Sequence, residues 1–253
     1  MAEYLSTLAR RRTTLRQFSS RPVDWTDVIV AIQAACQAPS GANAQPWRFL
    51  IVTDLLTKRR IREACEQAEQ AFYSTVKGAV RDWLLQRGLN WRKPFLEDAS
   101  LLLLVFSEKQ APYSIPSVWL AIGYLLLVVE ALGLGTVTYT PSSAEGVLDV
   151  LGVLEGFRLE GILPIGFPAE EKTKEPRLDC EAVTYLNAWG AILPSLSHAS
   201  ARPRPSEIGS PHRVGRGLSV HDSVGPPGNA FFHVASEGVL DGWGVRFAGL
   251  LPG

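Results

Sequence analysis

APSGANAQPW, Ala38 to Trp47, joins an apolar helix-like segment, VIVAIQAACQ, to an apolar strand-like one, WRFLIVTD. It holds small residues, two prolines, a single glycine and no charge. A solvated connection ordinarily carries charge, and a core strand does not carry Pro39 and Pro46. Gly41 permits close backbone approach, Ser40 offers a hydroxyl, Asn43 an amide, and the prolines stiffen the chain without adding donors. Such a loop suits the edge of a flat aromatic ligand, with backbone N–H groups aimed at its heteroatoms. On local chemistry alone, an ordinary helix-to-strand turn is the alternative.

Outward from that stretch, helical and strand-like patterns alternate. Residues 4–18 read as a helix that runs into the arginine-rich RRRTTLRQF. Apolar spacing predicts a helix from Val23 to Gln37, with Asp24 as its N-cap. Beyond the strand at Trp47 to Asp54, Leu55 to Val80 reads as a charged helix. ASLLLLVFSE, Ala99 to Glu108, is a continuous apolar run of the kind found in a strand covered on both faces. VWLAIGYLLLVVEALGLG, Val118 to Gly135, approaches the length of a membrane span, but Glu130 and three glycines interrupt it. It reads as a buried core or interface helix. A strand at GTVTYTP, a helix from Ala144 to Leu151 and a strand at EGILPIGFP complete an α/β or α+β layer pattern.

The composition removes several classes of function. Lys+Arg and Asp+Glu balance at 25 each, so no global field attracts nucleic acid or an anionic membrane. Cys36, Cys65 and Cys180 are widely separated and form no CxxC pair, which suits a reducing cytoplasm and argues against a disulfide framework or a zinc site. The apolar run before the arginines in MAEYLSTLARRR is too short for a secretory signal. All four histidines lie beyond residue 190. Residues 1–190 therefore encode no Ser-His or Cys-His nucleophile and no metal site is expected there, so an organic cofactor is the natural carrier of any chemistry. After residue 190 come seven of the 17 prolines, 10 of the 22 glycines and no lysine. Residues 191–253 are accordingly expected to be a mostly disordered tail, with one isolated strand-like stretch at Asn229 to Ala235.

Three further elements carry polar groups fit for a ligand. Arg12, Thr13, Thr14 and Arg16 combine two guanidinium groups with hydroxyls, a set suited to phosphate, although a solvated basic helix end has the same composition. In TVTYTPSS, alternation places the hydroxyls of Thr138 and Thr140 on one face before Pro141 stops the strand. ILPIGFP closes with Gly166 and Pro168. Neither GxGxxG nor GxxxxGK[ST] is present, so no Rossmann site or P-loop is encoded.

In this order and spacing the elements resemble the flavin-dependent nitroreductase superfamily over roughly residues 5–185. The resemblance implies an α+β, nitroreductase-like FMN-binding fold over residues 1–190, with a central mixed sheet flanked by helices and a domain-swapped homodimer. FMN would sit at the subunit interface. By position, Arg12, Thr13, Thr14 and Arg16 would bind its phosphate and ring edge. Ser40 and Gly41 would line its face, and Thr138, Tyr139 and Thr140 its N5 side. The late phosphate-binding arginine of the superfamily has no clear match. Cys180 falls near that position, and Arg177 is the nearest candidate.

Between Arg62 and Ala99 the chain offers Glu69 and Tyr73, four apart on one helix face, and Lys93 in NWRKPFLED. A carboxylate, a phenol and an ammonium could hold a zwitterion, although a solvated helix carries such pairs incidentally. The trio and its context look like those of the iodotyrosine deiodinase family. That resemblance implies that Glu69, Tyr73 and Lys93 close over the amino-acid end of a halotyrosine. Ala42 would give its backbone N–H to the phenolate, and Thr140 or Thr138 would hydrogen-bond flavin N5, favouring one-electron steps. The expected activity is reductive dehalogenation driven by an external reductant or reductase. A generic NAD(P)H-dependent nitro or quinone reductase and a non-catalytic flavin-binding protein are the alternatives.

Overall fold

The structure, a computed structural model, describes residues 1–193. In chain order the helices are α1 (Ala2–Arg11), α2 (Trp25–Ala35), α3 (Leu55–Thr75), α4 (Gly78–Gln86), α5 (Phe95–Asp98), α6 (Ser114–Ala131) and α7 (Glu145–Leu151). The strands are β1 (Trp47–Val52), β2 (Leu101–Glu108), β3 (Gly135–Thr136) and β4 (Phe157–Gly166).

The sheet is built around β2, whose unbroken apolar run divides itself between two cores. Leu101, Leu103 and Val105 face one way and pack with Val28, Ala31 and Ala35 of α2 and with Val118, Ile122 and Leu125 of α6. Leu102, Leu104 and Phe106 face the other way, onto Ile61 and Cys65 of α3 and Val147 of α7. A strand buried on both faces calls for apolar residues on both, and the sequence supplies them from Leu101 to Phe106, while buried Ser107 is satisfied by Glu160. Asp24 caps α2 as the sequence predicts, accepting from the Thr26 amide at 2.9 Å.

The strand order is β1-β2-β4-β3. A mixed sheet was the expectation, yet every strand pairing among the described residues is antiparallel. The cause is the position of β4. β2 and β3 do run in the same direction, but β4 inserts between them and turns one parallel neighbourhood into two antiparallel ones.

Two other boundaries differ for identifiable reasons. The expected strand at GTVTYTP pairs regularly only at Gly135 and Thr136, with one further bridge between Tyr139 and Ile162. That register brings Val137 opposite Pro164, which has no N–H to give, so the ladder breaks there. The charged helix ends at Thr75 rather than Val80, because Val76 and Lys77 turn extended before α4 begins.

Helix α6 is long and apolar enough to cross a membrane by length and composition. Here one face packs on the sheet and α2, while Leu120 and Tyr124 on the other face are exposed. The chain divides into a unit at Met1–Val183 and a second that begins at Thr184. Within the described part of the second unit, Tyr185 bridges to Ile192 and its ring lies 5.0 Å from that of Trp189. The expectation of a disordered tail, and of a strand at residues 229–235, falls on residues 194–253, outside those described.

Candidate functional site

The loop between α2 and β1 is held by its own small polar groups. Ser40 uses its carbonyl to accept from the Asn43 amide at 3.0 Å and its hydroxyl to accept from the Gln45 amide at 3.1 Å. The Ala44 amide donates to the Gly41 carbonyl at 3.0 Å. The Gly41 amide donates to Ser117 Oγ at 3.2 Å, and that hydroxyl donates in turn to the Tyr113 carbonyl at 2.7 Å. Ala42, Asn43 and Gln45 all adopt left-handed backbone, at φ 51°, 55° and 47°. For residues with a Cβ, each such position costs roughly 1 kcal/mol or more. The result is that the amides of Gly41, Asn43, Ala44 and Gln45 are bonded while the exposed Ala42 N–H has no partner among the described residues. Glycine at 41 is required by closeness: a Cβ there would lie 2.6 Å from Cδ2 of Tyr113.

Helix α3 carries a buried stripe, Lys58, Ile61, Cys65 and Glu69, at helical spacing. Its first three members face structural partners. The fourth meets the other two members of the expected trio. Lys93 Nζ lies 3.5 Å from Glu69 Oε2 and 5.4 Å from the centre of the Tyr73 ring. Glu69 and Lys93 are both buried, and Tyr73 is half-buried. Burial lowers the Lys93 pKa below that of an ordinary lysine; Glu69 opposes the shift and nearby Arg16 adds to it. Burial, then the Glu69 charge, raises the Tyr73 pKa. Lys93 is delivered by a scaffold that sequence reasoning missed. Glu66 accepts from the Lys93 amide at 2.7 Å and from Arg62 at 2.7 Å, while Arg62 also binds Glu97 at 2.8 Å.

Counting donors and acceptors shows what the trio leaves open. Glu69 Oε1 accepts from the Tyr139 hydroxyl at 3.0 Å and the Ser142 amide at 3.2 Å, so its two lone pairs are engaged. Among the described residues, Oε2 meets only Lys93. The Lys93 ammonium has three protons, of which one goes to the Asn90 carbonyl and one faces Glu69. Among the described residues, one carboxylate lone pair and one ammonium proton therefore have no hydrogen-bond partner, with Nζ lying 5.4 and 5.8 Å from the ring centres of Tyr73 and Tyr139.

Thr138 and Thr140 are exposed on one face, as alternation requires, and Thr140 Oγ1 donates to the Glu160 carbonyl at 3.3 Å. Tyr139, grouped with them in the sequence, turns the opposite way. It is buried against Phe95, with ring centres 5.7 Å apart, and its hydroxyl reaches Glu69 instead.

Helix α1 ends at Arg11, so Arg12 and Arg16 lie on non-helical chain and serve different places. Arg12 meets Lys174 and Arg177. Burial first, then Arg177, lowers the Arg12 pKa against the opposing pull of Glu130; burial, Arg12 and Arg177 lower that of Lys174. Cations that depress one another are an anion site in waiting. Lys174 was not singled out from the sequence, where its neighbours Lys172 and Arg177 gave the only signal. Arg16 lies near Lys93, and its backbone amide donates to Glu170 Oε1 at 2.6 Å. Thr13 and Thr14 are half-buried on the chain between the two arginines. Among the described residues, no group of His, Cys, Asp and Glu is arranged to hold a metal ion.

Residues 8–167 match the model of the nitroreductase family. A protein of Thermotoga neapolitana named iodotyrosine deiodinase is 51% identical over 170 residues, covering 67% of this chain and 91% of that one. One of the same name from Haliscomenobacter hydrossis is 36% identical over 183 residues, covering 67% and 81%. A crystal structure of oxidized iodotyrosine deiodinase bound to FMN and 3-iodo-L-tyrosine is 50% identical in sequence and superposes with a TM-score of 0.67. It covers 69% of this chain and 95% of that one.

Proposed function

The chain belongs to the nitroreductase family, and from that premise we propose that it is an FMN-dependent oxidoreductase that removes iodide reductively from 3-iodotyrosine. The residues present fit the cofactor. Arg12, Lys174 and Arg177 gather positive charge that Glu130 only partly offsets, which suits the phosphate. Thr138 and Thr140 present exposed hydroxyls for the ring edge, and Ser40 and Gly41 offer a loop thin enough for a ring to lie against. Replacing iodide by hydrogen takes up two electrons and one proton, and bound, reduced FMN supplies the electrons.

The substrate reading rests on one observation: the protein's own hydrogen bonds leave three complementary vacancies. The Ala42 N–H suits a phenolate, the open Glu69 Oε2 position an α-ammonium, and the third Lys93 proton an α-carboxylate. Tyr73 belongs to the same group, its ring centre 5.4 Å from Lys93 Nζ. Holding both ends of one small molecule fixes its ring, and orientation of this kind contributes about 7–11 kcal/mol in favourable systems. Electrons come from an external reductant or reductase, since no dinucleotide motif is encoded. The active form is a homodimer, for which the apolar stripe of Leu120 and Tyr124 on α6 is available. The cytoplasm is the compartment that suits three widely separated cysteines with no CxxC pair.

The test is flavin fluorescence of the FMN-loaded protein during titration with 3-iodotyrosine, tyrosine and 4-nitrophenol, followed by iodide release with dithionite as reductant. Selective quenching by 3-iodotyrosine and stoichiometric iodide are expected. Rapid NAD(P)H oxidation with nitroaromatics and no preference for the amino acid would replace this reading with a generic reductase.

A further inference from the structure

Tyr139 stands in the middle of the threonine pair that the family resemblance directs at the flavin, yet its side chain leaves that surface. Its backbone is fixed to the sheet by both bonds of a narrow pair with Ile162, at 3.0 and 2.7 Å. Its ring is buried against Phe95. Its hydroxyl ends 3.0 Å from Glu69 Oε1. From this geometry we propose that Tyr139 is a positioning residue for zwitterion recognition: it turns the Glu69 carboxylate so that Oε2, and not Oε1, faces the ligand ammonium.

The argument is one of rotation. A carboxylate at the end of a Glu side chain turns freely unless its oxygens are distinguished by their partners. Here Oε1 is engaged twice, by Tyr139 and by the Ser142 amide, and both donors come from the segment that follows β3. Oε2 is left to Lys93 and to whatever enters beside it. Burial first, then Cys65 and the charge of Glu69 beside it, raises the Tyr139 pKa, so the phenol stays protonated throughout the working pH range. Tyr139 thus ties a group on α3 to a fixed point of the sheet. Without the hydroxyl, Oε1 keeps only the Ser142 amide, and the carboxylate can swing to pair both oxygens with Lys93. Both ligand vacancies would then close at once.

This rests on the reading of the substrate as an amino acid, and the experiment separates the two. Tyr139→Phe removes the hydroxyl and keeps the ring against Phe95. With FMN-loaded protein, affinities for 3-iodotyrosine and for 2-iodophenol, which has no zwitterion, are measured by flavin quenching, and FMN affinity by equilibrium dialysis. The variant is expected to bind 3-iodotyrosine about tenfold or more weakly, with 2-iodophenol and FMN unchanged. In a Glu69→Gln background the same change should have no further effect, a coupling that a merely structural role would not produce. If the parent protein prefers 3-iodotyrosine and Tyr139→Phe retains that preference, the positioning role is wrong and the substrate reading stands. Parallel loss of 2-iodophenol and FMN overturns it too, in favour of a general packing role. A parent protein that binds both ligands alike overturns the substrate reading and the proposal with it.

Discussion

Gly41 shows how little room a single atom has in this site. A methyl group there meets Cδ2 and Cβ of Tyr113 at 2.6 and 2.8 Å, and Tyr113 is itself held in left-handed backbone at the start of α6. Gly41→Ala is expected to destabilise the fold by about 1–3 kcal/mol and to weaken 3-iodotyrosine binding by moving the Ala42 N–H; urea denaturation and flavin quenching check the two effects. Lys93 makes a pH prediction with opposite signs in two observables. Its folded pKa lies below the ordinary 10.5, so the ammonium discharges earlier than in the unfolded chain as pH rises. Affinity for a ligand carboxylate should therefore be full near neutrality and fall through that lowered pKa. In the window up to 10.5 the unfolded state holds more protons at this residue, so the contribution of Lys93 to stability rises with pH. Affinity and unfolding measurements across pH 7–10.5 on the parent and Lys93→Met check the opposition. Cys65 is simpler. Burial pushes its thiol up to about 12, so thiol reagents at pH 8 should leave it unmodified until the protein is denatured. At this scale residue type and helix phase marked Glu69 and Tyr73 as one face and Ala38 to Trp47 as an uncharged loop, but the ligand they would hold came from the family resemblance alone. The role of Tyr139 was not legible, although alternation with Thr138 and Thr140 already placed it on the opposite face. Its partner lies 70 positions away, and no local pattern names it.

Among the elements, α4 stands apart. It contains no buried residue, and Val80, Trp83 and Leu85 are exposed on a helix that follows directly from the one bearing Glu69 and Tyr73. Its C-terminal Arg87 lies over the Trp83 ring at 4.7 Å and reaches Glu175 at 3.8 Å, an exposed pair of little energetic weight. An element with so little to hold it opens at low free energy. Within residues 1–193, limited trypsin digestion should cut first at Lys77, Arg81 or Arg87, and 3-iodotyrosine should slow that cleavage several-fold by holding Glu69, Tyr73 and Lys93 together. Unchanged cleavage rates in the presence of ligand would detach α4 from the site. Strands and helices with a clear period were legible in outline. β2 declared itself by seven successive buried residues, and α2 by its cap. The early end of β3 was hidden because it depends on Pro164 in another strand, a register fact. The break between α3 and α4 was hidden because no proline or cap residue marks it.

The whole molecule raises two expectations that no single element carries. Leu120 and Tyr124 lie four apart on the outward face of α6, and Gly123 between them has open space where a Cβ would stand. Leu120→Glu with Tyr124→Glu should convert a dimer to a monomer in sedimentation and reduce FMN retention, if the stripe is where two copies meet. The fold class was legible from the alternation of elements, whereas the antiparallel character of the sheet was not, since it depends on where β4 enters. That entry has a consequence for how the protein is made. β2 finds its inner neighbour only in β4, about fifty residues later, so the central sheet stays open along one side until Phe157–Gly166 has left the ribosome. During that interval β2 exposes an unpaired edge that is apolar from Leu101 to Phe106. Such late closure favours slow folding and chaperone dependence, and nascent chains halted before residue 157 should be aggregation-prone and protease-sensitive where chains halted well beyond 166 are not.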